Sequence, residues 1–273
     1  MAQAMRVGLI GFGAIGQRLA RGLLAHPQRV TLSGVLVQDL SEAQAAALDD
    51  LEQLRPLLSD SRDTWLEAAP DLVVECAGHT AVDAHAVAVL GAGCDLLLVS
   101  VGALTDDARY ERLRALAEAH GRQVRLVAGA VGGIDWLTAA RDAGLREVIY
   151  RSRKPPQAWR GSPAELGRDL DALVAPIRLF EGSARQAARD FPRNANVAAT
   201  VALATLGLDQ TRVELWADPG VSDNQHEIEA WGEAGHLLLR LDNRPDPLNP
   251  RTSLVTAHSA LRAVLNWRAP LVL

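Results

Sequence analysis

The sequence predicts an α/β chain in two parts: an N-terminal doubly wound parallel sheet, then an α+β domain. Three observations carry this. Short apolar runs alternate with helix-length Ala- and Leu-rich segments through the first half, and a glycine triplet follows the first run directly. After about residue 130 the alternation gives way to strand-like runs interrupted by fewer helices. Strand alternating with helix at this pitch implies parallel strands joined by right-handed crossovers.

Residues 6–10 form a short apolar strand, and residues 15–25 form a helix with Ile15, Leu19 and Leu23 on one face. Residues 31–37, 72–76, 95–99 and 124–127 supply four more strands, separated by helices around 82–90 and 106–119. In the second half, residues 147–153, 177–183, 213–217, 225–231 and 236–241 read as strands, with helices over 163–173 and 195–206. Residues 253–267 close the chain as a helix that packs back on the first domain. The expected division is 1–130, 131–252 and 253–273.

Composition narrows the functional classes. A chain of 273 residues has room for two modest domains. With 28 basic and 33 acidic residues, its net charge of -5 gives no basic surplus for nucleic acid or anionic lipid. No signal peptide or spanning segment is visible, so the expectation is a cytoplasmic protein. Of the basic residues 27 are Arg and one, Lys154, is Lys, so amine chemistry has a single possible carrier. Cys76 and Cys94 are too few for a disulfide framework or a four-cysteine zinc site. They read as small buried hydrophobes, and no metal site is expected.

Gly11-Phe-Gly13-Ala14-Ile15-Gly16 lies between the first strand and the first helix, the context that gives a glycine triplet meaning. Gly11 permits the tight turn, Gly13 lets backbone approach a pyrophosphate, and Gly16 lets helix and strand pack closely. The helix N-terminus offers its free N–H groups to phosphate. The first domain is therefore expected to be a Rossmann domain binding a dinucleotide. Asp39 ends the second strand, where a carboxylate meets the ribose hydroxyls or caps the next helix. With no arginine following Asp39, NAD is expected, with NADP as the alternative. Ala77 and Gly78 follow another parallel strand, at the carboxyl edge where open α/β sheets bind ligands. His79 and His85 nearby are not spaced to share a helical face around a metal.

Three stretches of the second half are dense in polar or small residues: Val127 through Asp135, Phe191-Pro-Arg-Asn194-Ala-Asn196, and Asp223-Asn224-Gln225-His226-Glu227. Together with Arg151-Ser-Arg153-Lys154-Pro-Pro156, Phe180-Glu-Gly182, Ala217-Asp-Pro219 and Asn249-Pro-Arg-Thr-Ser253, they make the sequence similar to the L-aspartate dehydrogenases. The resemblance covers nearly the whole chain. It implies NAD(P)-dependent oxidation of L-aspartate to iminosuccinate, then hydrolysis to oxaloacetate and ammonia, as a supply for NAD biosynthesis. It also implies His226 as the acid/base, with Ala130 and Asn196 on the cofactor. One departure is Gln38, where family members often carry an aromatic.

The chemistry supports the histidine on its own terms. The amine must lose a proton and the imine needs an activated water, and an imidazole with an ordinary pKa near 6.5 can do both. The two substrate carboxylates require cations or N–H donors; Arg151, Arg153, Lys154 and helix N-terminal amides near Asn194 are the candidates. Homodimerisation through the second domain's open sheet face is expected. Two other readings remain at this point. One is a cyclic-imine reductase resembling dihydrodipicolinate reductase, although the His-His pair of that family is missing. The other is a protein that senses NAD without turnover.

Overall fold

The computed structural model describes residues 3–167, 169–192 and 195–272. The chain up to Val127, with the segment from Thr256, forms one compact unit; Ala128–Val255 forms the second.

The first unit contains β1 (Met5–Ile10), α1 (Ala14–Leu24), β2 (Val30–Leu36), α2 (Leu40–Ala46), β3 (Leu58–Ser59) and α3 (Arg62–Leu66). It continues with β4 (Leu72–Glu75), α4 (His79–Gly91), β5 (Asp95–Leu98), α5 (Asp107–Ala119) and β6 (Val124–Leu126). All six strands pair in parallel in the order β3-β2-β1-β4-β5-β6. Val7, Leu9, Leu72, Val74 and Leu97 are wholly buried, as befits strands covered on both faces. The chain runs outward from β1 to β3, then crosses back to β4. The loops after β1 and β4 therefore leave their neighbouring strands in opposite directions and open the crevice where such sheets bind ligands.

The second unit contains α6 (Ile134–Asp142), β7 (Leu145–Lys154), β8 (Ile177–Ser183), α7 (Ala184–Asp190) and α8 (Ala195–Ala204). After these come β9 (Arg212–Ala217), β10 (Asn224–Gly232), β11 (Gly235–Asn243) and a short hairpin of β12 (Pro245–Asp246) and β13 (Asn249–Ser253). The main sheet has the order β11-β10-β7-β9-β8, and only β7 and β9 run parallel. Leu137 and Ala140 of α6, Ala187 of α7, and Ala198 and Val201 of α8 pack with Tyr150, Leu215 and Ile228 in one core. Helices on one face of a mixed sheet make this the α+β part. α7 opens on a reciprocal capping box between Ser183 and Gln186. The final helix, α9 (Val255–Asn266), sends Ala260 and Val264 into the core of the first unit.

The helix expected over residues 163–173 does not form. Only a 3-10 turn spans Pro163–Glu165, and Gly167 adopts φ +72. The Asp169 carboxylate accepts from the backbone N–H of Asp171 and of Ala172, a local turn that competes with helix. α6, α7 and the β12–β13 hairpin were not anticipated. The hairpin lies in a proline-rich stretch that reads as loop.

The approach of α1 to β1 depends on one position. A Cβ on Gly16 would lie 2.3 Å from the Gly11 carbonyl oxygen, against backbone that has nowhere to move. Gly16→Ala is expected to destabilise the protein by about 1–3 kcal/mol through overpacking, measured by denaturant unfolding beside the wild type.

Candidate active site

In the first unit, the predicted cofactor residues converge on the carboxyl edge of the sheet. Gly11 takes φ +103, and a Cβ there would meet the Ala77 Cβ at 2.8 Å, so the loops after β1 and β4 touch. Gly13 caps α1 without any side-chain hydrogen bond, and the first turn carries no acidic residue. A Cβ on Gly13 would meet nothing within 4 Å, leaving the rim of the turn open. These features fit a dinucleotide pyrophosphate: the N–H groups of Ala14, Ile15 and Gly16 are the orphan donors of a helix start, in a positive dipole end.

Asp39 is exposed at the end of β2 and caps α2, its Oδ1 accepting from Glu42 N–H at 2.9 Å and from Ser41 Oγ at 2.7 Å. These bonds, the Glu42 backbone bond first, hold its pKa below the usual carboxylate value. Capping and ribose binding are compatible, since both want the anion.

The β4 loop owes its shape to Glu75, a residue that sequence motifs do not single out. Glu75 is almost fully buried; its Oε1 accepts from the N–H groups of Ala77 and Gly78, each at 2.8 Å, and from Ser100 Oγ at 2.9 Å. Its Oε2 accepts from Ser100 N–H at 3.1 Å. Burial pushes the carboxyl pKa up, and these hydrogen bonds to the anion oppose it. One side chain thus ties the loops after β4 and β5 together. The available signal was an acidic residue closing the apolar run Leu72-Val-Val-Glu75. Cys76 follows the strand end rather than lying in the strand, and Cys94 precedes β5. Cys76 donates to the Ile10 carbonyl at 3.3 Å, and burial raises its pKa, so it stays a thiol.

In the second unit, β7 and β10 pair antiparallel, with His226 opposite Ser152 and Ile228 opposite Tyr150. Side chains alternate between faces. Tyr150, Ser152 and Lys154 share the helix-covered face with Asn224 and His226, and all five are buried. His226 Nδ1 lies 2.8 Å from Tyr150 Oη with the rings stacked, while His226 Nε2 has no hydrogen-bond partner among the described residues. Burial, then the Lys154 charge, pushes the His226 pKa down to about 3. Lys154 is itself brought down to about 8 by burial and by Arg251. Burial raises the Tyr150 phenol.

The predicted basic cluster therefore divides. Arg151 lies on the opposite face and pairs with Glu227, Glu229 and Glu214. Arg153 bonds to Asp218 at 3.0 Å and lies over the Trp216 ring. Both guanidiniums are ion-paired there, while Lys154 lies on the face of His226.

Ala130 is buried, its carbonyl accepting from Asn243 Nδ2 at 2.7 Å. Asn196 is the second residue of α8, and its carbonyl accepts from Thr200 Oγ1 at 2.9 Å. Asn194, beside which helix N-terminal amides are a candidate clamp, lies outside the described residues. Among the described residues no cluster of His, Cys, Asp or Glu is placed to hold a metal. No helix among them is long and apolar enough to cross a membrane.

Residues 135–267 match the family model for the C-terminal part of aspartate dehydrogenase, and residues 11–127 match that for the NAD-binding domain of homoserine dehydrogenase. The chain is 46% identical over 265 residues to an L-aspartate dehydrogenase of Ralstonia pickettii, covering 96% of this chain and 97% of that one. It is 44% identical over 265 residues to the L-aspartate dehydrogenase of Pseudomonas aeruginosa, with 96% and 97% covered. Among solved structures, aspartate dehydrogenase from Thermotoga maritima superposes with a TM-score of 0.76 at 25% identity, covering 99% of this chain and 100% of that one.

The depressed His226 pKa carries a stability consequence. Native His226 takes a proton only near pH 3, whereas an unfolded imidazole does so near its model value of 6.5. Between those values the unfolded chain binds the extra proton. This contribution is intact above pH 6.5 and is lost as the pH falls, by about 1.4 kcal/mol per pH unit. Denaturant unfolding of wild type and His226→Gln between pH 4 and 7 is expected to give a steeper acid loss for the wild type.

Proposed function

Because the chain belongs to the L-aspartate dehydrogenase family, we propose that it oxidises L-aspartate to iminosuccinate, which water converts to oxaloacetate and ammonia. NAD, when bound, accepts the hydride from the substrate Cα. Its pyrophosphate would be held by the turn Gly11, Gly13, Ala14, Ile15 and Gly16, and its ribose by Asp39. Ala77 and Gly78 would let it lie close to backbone, and Ala130 and Asn196 are further cofactor residues on the family pattern. NAD is the preferred cofactor and NADP the alternative. In this reading the first unit is the cofactor domain and the second the substrate domain.

The observation that carries the proposal is the buried His226 with one nitrogen engaged and the other without a partner. The Tyr150 phenol, kept protonated by burial, would accept from His226 Nδ1–H. That tautomer leaves the Nε2 lone pair for the substrate. Burial keeps the resting imidazole neutral; its Nε2 would take the amine proton, pass it to solvent, and then take a proton from the water that attacks the imine. Lys154 supplies the cation on the same face and would hold the α-carboxylate.

A homodimer formed through the face of the second sheet that its helices leave open, a cytoplasmic location and a role in supplying NAD biosynthesis complete the proposal.

His226→Ala is expected to lower kcat/KM for aspartate by about 10²–10⁴, with circular dichroism and NADH binding retained. A near wild-type kcat across pH would remove His226 from the reaction. Asp39→Ser keeps a capping oxygen but removes the charge that repels a 2′-phosphate. It is expected to raise the NADP-to-NAD ratio of kcat/KM by about tenfold or more, within what like-charge juxtaposition costs; steady-state kinetics with both cofactors reads it.

A further inference from the structure

A cavity of about 350 Å³ opens in the second unit beside the end of β7, lined by Pro155, Ser222, Asn224, Pro245, Asn249 and Arg251. Its walls come from three places: the segment after β7, the start of β10 and the β12–β13 hairpin. Asn224 is 3% exposed, yet its Nδ2 has no hydrogen-bond partner among the described residues. A buried amide donor left unpaired costs about 1–3 kcal/mol, which a ligand acceptor would recover. Arg251 lines the same cavity, and its charge reaches Lys154, the residue before Pro155. The wall thus combines a guanidinium with an orphaned amide donor, a set that suits a carboxylate and nothing cationic.

Position along the strand selects which carboxylate. Asn224 and His226 are two residues apart on one face of β10, about 7 Å along the strand. The reacting carbon must sit against His226, so the cavity begins where the far end of a four-carbon amino acid would lie.

We propose that this cavity is the subsite for the side-chain carboxylate of the substrate, with Arg251 as its charge partner and Asn224 Nδ2 as its hydrogen-bond donor. The subsite makes the protein selective for dicarboxylic over monocarboxylic amino acids, and this rests on the reading of the protein as an aspartate dehydrogenase. Arg251 is exposed on the hairpin, so replacing it leaves the buried core intact.

The test is calorimetric titration of succinate, with propionate as the one-carboxylate control, into wild type, Arg251→Met, Arg251→Lys and Asn224→Ala. Aspartate kinetics are measured on each protein in parallel. Wild type is expected to bind succinate at least tenfold more tightly than propionate. R251M and N224A lose that preference, R251K restores part of it, and NADH binding does not move. KM for aspartate rises at least tenfold in R251M, proportionally more than kcat falls. Succinate affinity within twofold of wild type in both R251M and N224A overturns the subsite. If those variants keep succinate affinity and aspartate is oxidised normally, the subsite alone fails. If wild type shows the succinate preference but does not oxidise aspartate, the function fails and the dicarboxylate subsite stands.

Discussion

The antiparallel pairing of β7 with β10 is the constraint on which the second unit depends. It sets His226 opposite Ser152 and aligns two alternating rows of side chains across the strands. On the helix-covered face lie Tyr150, Ser152, Lys154, Asn224 and His226; on the other, Arg151 and Arg153 meet Glu214, Glu227, Glu229 and Asp218. A slip of β10 by one residue in this register would move the imidazole into the ion-pair face and bring Gln225 or Glu227 into its place. Glu227 and Glu229, which neutralise Arg151, would then lie on the face of Tyr150 and Lys154.

Burial follows from that register, and the chemistry follows from burial. An imidazole beside the only lysine of the chain, both removed from water, stays neutral, and it holds its ring against Tyr150. The desolvation that keeps His226 neutral also makes the site expensive in acid, because protonating it would place a second cation near Lys154. The first unit solves the opposite problem with hardly any side-chain charge. A protein of net charge -5 can receive a pyrophosphate through the orphan N–H groups and dipole of α1, at a turn made close by Gly11 and Gly16. Glu75 contributes there as an internal brace, its carboxyl oxygens accepting from backbone and Ser100.

Much of the architecture was legible because it rests on short-range periodicity. The Rossmann strands, the glycine turn and the β8 strand at residues 177–183 follow from apolar runs and turn residues whose meaning is local. Failures occurred where local signals were weak or contradictory. Residues 163–173 have helix-forming Ala, Glu and Leu, but Gly167 and the Asp169 turn divert the backbone. The hairpin at residues 245–253 carries prolines that suggest a loop, although its pairing is made.

By itself the sequence determined the α/β and α+β division, the glycine turn after β1 and the family, because glycine spacing, strand alternation and family motifs are properties of neighbouring residues. It could not divide Arg151, Arg153 and Lys154 by role, since three basic residues within four positions look alike until a partner strand fixes which face each occupies. Nor could it reveal that Asn224 and Arg251 line one cavity or that Glu75 braces Ser100. Those depend on contacts between segments far apart in the chain, and only the packed sheet and hairpin bring them within reach.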